Sequence, residues 1–177
     1  MAMYFGVCLA ACSITDGKLT LDFSAQQIQG AIAPKFPVEN CPLPLTCLKL
    51  QNPQVSLPEG ADRIQLAFAS TVTLLQQPLT GTVVVSAKPR YQGSTGEIFL
   101  DDSQIQDVQL TGVPQRNLDL IKQYGAPLMQ QALQRSPIYS FKNAQAEKIA
   151  RMGIADVKVQ GGKLRVVLDP ALSQAPR

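Results

Sequence analysis

The side chains best equipped for chemistry in this chain are four cysteines and a short run of acids, and the residue that most often activates such groups is missing. None of the 177 residues is histidine, so the commonest general base and the commonest metal-ligating imidazole are both absent. Asp101, Asp102 and Asp107 are the one carboxylate group spaced for paired acid and base work. Adjacent aspartates in a strand point to opposite faces, however, and an Asp-Asp-Ser run inside a strand reads as a bulge or a solvated edge. Ser70 and Ser103 have no base to activate them. Gly93 and Gly96 lead into a strand rather than a helix, which makes them a turn and not a phosphate cradle. The sequence therefore assigns no catalytic residue, no enzyme activity and no cofactor.

The cysteines divide by position. Leu9-Ala10-Ala11-Cys12 follows an uncharged apolar run from Met1 and looks like a lipobox, in which Cys12 is acylated and the bond before it is cut. Each buried methylene contributes roughly 0.8 kcal/mol, so several acyl chains on one residue hold a folded domain on a bilayer. Ser13, rather than Asp, at the next position favours the outer membrane. The competing reading is an apolar N-terminal strand, which gains weight because the usual basic residues of a signal are absent. Cys8 would leave with the signal. Cys41 and Cys47 then remain as a pair, and in an oxidising compartment they read as a disulfide across the tight Pro42–Thr46 loop. Zinc wants four ligands and finds two thiols here, so no metal is expected.

Composition agrees with a folded body. The chain is 45% hydrophobic and 16% charged, far from the low-hydrophobicity, high-charge regime of disordered chains. A net charge of +3 is too small and too dispersed for a nucleic-acid groove. No later stretch reaches the roughly 18 apolar residues that span a bilayer. The expected division is a signal remnant at 1–11, a lipidated linker at 12–17, one domain at 18–170 and a flexible tail at 171–177, on a protein of the bacterial envelope facing the periplasm.

Periodicity supplies the elements. Leu19, Leu21 and Phe23 alternate as in a half-buried strand. Ser24 and Gln27 then fit a capping box that opens a short helix with Ile28, Ala31 and Ile32 on one face, which Pro34 and Pro37 end. Around residues 48–57 a strand carries Pro53, which calls for an edge or a bulge. Residues 63–75 put Ile64, Leu66, Phe68, Val72 and Leu74 on one face, and 79–91 and 97–110 follow at similar length, so the middle of the chain reads as a meander of long strands. Leu118, Ile121, Tyr124, Gly125, Leu128, Met129, Ala132 and Leu133 recur at helical spacing over 115–136, with Pro127 inside. A short strand near 138–141, a second helix near 144–152 and a hairpin around Gly161-Gly162 complete the pattern.

Leu19-Thr20-Leu21, Gly96-Glu97-Ile98-Phe99-Leu100, Pro127-Leu128, Gln131-Ala132-Leu133, Ser136-Pro137-Ile138-Tyr139 and Met152-Gly153-Ile154 resemble, in order and spacing, the YceB-like family of small bacterial lipoproteins. The resemblance implies an α+β fold, a long curved antiparallel sheet wrapped around a long helix in the C-terminal half, similar to the tubular lipid-binding fold. The loop carrying Cys41 and Cys47 departs from it. The functional expectation is binding or shuttling of an acyl-chain lipid at the outer membrane, lined by Leu66, Phe68, Leu118, Ile121, Leu128, Met129 and Leu133. The alternative is an accessory scaffold with a closed core that contacts another envelope protein. A continuous apolar void of several hundred Å³ would favour the first, a packed core the second.

Overall fold

The alternation of Leu19, Leu21 and Phe23 builds β2 (Lys18–Phe23), and Ser24 caps the helix that follows. The Ser24 hydroxyl accepts from the Gln27 amide while the Gln27 side chain accepts from the Ser24 amide, so two otherwise unpaired donors are satisfied at the start of α1 (Ala25–Ile32). A 3-10 turn at Ala33–Lys35, opened by Pro34, ends α1. The computed structural model describes residues 11–15, 17–43, 46–74, 76–92, 95–135, 137–141 and 153–174. The helix expected at 144–152 lies outside the described residues.

Two antiparallel sheets follow from the pairing. β1 (Ala11–Thr15), β2, β10 (Lys163–Leu168) and β9 (Ile154–Gln160) form a four-stranded sheet in the order β1-β2-β10-β9. Gly161 and Gly162, with φ of 58° and 69°, turn β9 into β10, as a two-residue hairpin requires. The second sheet runs in chain order through β3 (Val38–Leu43), β4 (Thr46–Ser56), β5 (Ile64–Leu74), β6 (Gln77–Gln92), β7 (Glu97–Leu110) and the short β8 (Tyr139–Ser140). Pro53 sits at a register shift between Gln51 and Gln54, where Asn52 takes φ 51°, so the proline occupies a bulge in a paired strand. The Gln29 side chain binds that bulge, accepting from the Val55 amide at 2.8 Å and donating to the Pro53 carbonyl.

One core joins both sheets. Phe23 of β2 meets Tyr139 at 4.8 Å and Phe141 at 6.1 Å between ring centroids, which ties the small sheet to the β8 edge of the large one. α2 (Gln115–Arg135) lies along β7, with Leu118, Met129 and Leu133 buried and Asp119, Gln123, Gln130 and Gln134 exposed.

These elements correct the expected class. The protein is mostly β and has two sheets, where the sequence pointed to an α+β domain with one curved sheet wrapped around a long helix. An enclosed helix would be apolar all round, whereas α2 keeps a polar face in solvent and is an amphipathic cover on one side of the large sheet. The small sheet depends on pairing β2 with β10, near opposite ends of the chain, and no local period carries that information. Ala11, expected as the end of the signal remnant, and residues 12–15, expected as part of a linker, are strand residues paired with β2. Residues 170–174, expected mainly as tail, form a second 3-10 turn.

Candidate functional site

The core-facing side of the large sheet falls into a closed part and an open part. In the closed part, Ile64, Leu66 and Phe68 of β5 and Val85 of β6 are at most 1% exposed. Phe36, just after α1, packs its ring 5.2 Å from that of Phe68. A residual cavity of about 10 Å³ lies between Ile32, Phe36, Leu66, Leu133 and Ile138, too small to admit an acyl chain.

Among the described residues, the open part begins beyond α1 and α2. α1 is fixed over the bulge at Pro53, at the opposite end of β4 from Leu48, and α2 lies along β7. Between them, Leu48, Val72 and Leu79 sit side by side on three neighbouring strands. Cross-strand partners share a face, so this row continues the buried apolar face, yet all three residues are only partly buried. The next row inward is Leu50, Ser70, Gly81 and Leu110. Gly81, Thr82, Asp107, Val108, Gln109, Leu110, Thr111, Val113 and Leu118 line an open cleft of about 540 Å³ whose exposed surface is more polar than apolar. Gln109 donates to Asp107 at 2.9 Å. A Cβ on Gly81 would lie 1.7 Å from the Gln109 carbonyl oxygen, so only glycine lets β6 and β7 approach this closely at the cleft.

Of the lining residues expected from sequence, Leu66, Phe68, Leu118, Met129 and Leu133 lie in the buried core, and among the described ones Leu118 also borders the cleft. The side chains of Ile121 and Leu128 lie outside the described residues. Sequence reasoning missed Leu48, Leu79 and Val113 as groove residues. The alternation that placed Leu48 with Leu50 and Val72 with Phe68 was the available signal, but alternation does not say where a covering helix stops.

The disulfide expected between Cys41 and Cys47 is present and joins β3 to β4 next to Leu48. Glu39 approaches the same sulfurs, but both are committed to the S–S bond. The acids follow the bulge expectation: Asp102 takes φ 50° beside a register shift of β6 against β7. Arg63 binds it at 2.9 Å and also donates to the Ser86 hydroxyl, and the guanidinium holds the Asp102 carboxyl below its usual value. Arg90 pairs with Asp101. Cys12 lies in β1 opposite Leu21; its side chain is outside the described residues. Two positions on, Ile14 is 79% exposed.

The fold and site define a disulfide-stapled, two-sheet β protein with a partly exposed apolar corner beside a largely polar cleft. Residues 23–163 match the family model described as "Protein of unknown function (DUF1439)", and the chain belongs to that family. No curated protein matches it.

Proposed function

We propose that this is a YceB-like envelope lipoprotein, held on the outer membrane through an acylated Cys12, that binds an acyl-chain amphiphile at the open corner of its large sheet. The observation that carries the reading is the partly buried row Leu48–Val72–Leu79, which extends the apolar core face toward the cleft beside Leu118. An apolar strip beside a largely polar cleft suits a molecule with both characters. Burying the strip under a hydrocarbon chain would contribute about 25 cal/mol per Å² of apolar surface removed from water. Ile14, exposed two residues beyond Cys12, would enter the membrane interface next to the anchor.

The test is native mass spectrometry of the chain carrying Cys12→Ser, expressed to the envelope, followed by organic extraction. A fatty acid or phospholipid retained at one per chain, and lost in Leu79→Asp, supports the reading. A bare protein mass that stays unchanged after incubation with membrane lipids refutes it. Lipid on Cys12 is checked separately by the mass of the N-terminal peptide from membrane-extracted wild type.

A second reading, an accessory scaffold acting through its outer surface, is favoured by the tight packing of Leu66, Phe68 and Met129, at most 2% exposed. It predicts the bare mass together with a partner trapped by cross-linking in the envelope.

A further inference from the structure

The closed side of the groove carries one polar anomaly. Ser70 belongs to the same alternating set of β5 as Leu66, Phe68 and Val72, so its side chain joins the apolar face, where it is 2% exposed. Its hydroxyl has no hydrogen-bond partner among the described residues. Buried hydroxyls are nearly always paired, and leaving one unpaired costs more than a neutral hydrogen bond contributes. Alanine would fill the position without that cost. The second such hydroxyl, on Ser103, adjoins the bulge at Asp102 and belongs to no groove row.

The location gives Ser70 a use. Along β5 it stands two residues from Val72, about 7 Å at 3.3 Å per residue. Across the sheet it faces Gly81, which borders the cleft, and Gly81 faces Leu110 on the cleft wall. Two strand spacings, about 10 Å, separate the hydroxyl from that wall, a span that a short stretch of methylenes covers.

We infer that Ser70 is the polar anchor of the groove: its hydroxyl donates a hydrogen bond to the carbonyl or carboxylate oxygen of a bound acyl compound, whose chain runs across β6 toward Leu118. The inference rests on the groove reading above and names the ligand class more narrowly. The hydroxyl is shut off from solvent, so a ligand reaches it by parting the side chains over it. An oxygen acceptor gains a hydrogen bond from that opening and a pure hydrocarbon gains none, so the site selects acyl acids and esters.

The experiment titrates the full chain, wild type and Ser70→Ala, with two fluorescent probes of similar length: a polyene fatty acid and a polyene hydrocarbon. Loss of one hydrogen bond to an ionised carboxylate predicts that Ser70→Ala binds the acid more weakly by about tenfold or more. Binding of the hydrocarbon stays unchanged, and thermal unfolding is unchanged or shifted upward. Equal affinity of both chains for the acid, or parallel weakening for both probes, overturns the anchor while leaving the groove reading intact. A wild type that takes up neither probe overturns both.

Discussion

The two parts of the large sheet's inner face share a chemistry and differ in what lies above them. At Leu66 and Phe68, a strand of alternating apolar residues meets Ile32 and Leu133 from the covering helices and Phe36 from the segment after α1, and closes to a cavity of about 10 Å³. At Leu48, Val72 and Leu79 the same alternation continues on the same strands, and the side chains stay partly exposed. An apolar face therefore becomes core or groove according to where its cover ends. The hydrophobicity of the face does not distinguish the two.

The largest expected effect breaks the comparison on the closed side. Phe68→Ala removes a ring with no exposed surface that packs on Phe36, and should lower stability by about 3–5 kcal/mol in urea unfolding. A loss below about 1 kcal/mol would mean that the closed part is loosely packed and could itself admit a ligand. Gly81→Ala comes next, because its Cβ would collide with the β7 backbone at 1.7 Å. Forced displacement of backbone costs about 1–3 kcal/mol or more, and a variant as stable as wild type would show that β6 and β7 do not approach so closely at the cleft.

Replacing Cys41 and Cys47 together with serine sharpens the comparison on the open side. A short cross-link contributes about 2 kcal/mol, and this one staples the edge next to Leu48, so probe uptake should weaken along with the melting temperature. Val72→Ala should cost about 1 kcal/mol or less, within the range of ordinary substitutions away from a packed core, while reducing uptake of an acyl probe. An unfolding loss matching that of Phe68→Ala would place Val72 in the core.

The smallest effect lies in the other sheet and serves as a control. Arg165 binds the Asp22 carboxylate through Nε at 2.8 Å and Nη2 at 2.9 Å, which holds the Asp22 carboxyl below its ordinary 3.8. A depressed folded-state value means that the stabilisation is present above the unfolded value and is lost as pH falls through the folded one. Asp22→Asn should therefore cost about 0.5–1 kcal/mol at neutral pH, a partly exposed pair being worth little. The difference from wild type should vanish well below pH 3.8, with no change in probe uptake at neutral pH. A persistent gap in acid unfolding curves would assign the loss to packing.

Sequence alone determined what neighbours in the chain decide. Ser24 and Gln27 announced the capping box, Pro53 an edge or a bulge, Gly161-Gly162 a hairpin and Cys41 with Cys47 a disulfide, because each acts within a few residues. The strands at 18–23 and 97–110 and the amphipathic stretch after Gln115 were legible from their periods for the same reason. Tertiary structure decided the rest: that β2 joins β10 in a separate sheet, that α2 covers one side instead of lying inside a tube, and that among the described residues the covering helices leave Leu48, Val72 and Leu79 partly exposed. Those outcomes depend on contacts between distant segments, and an apolar residue carries the same side chain whether another element arrives to bury it or not.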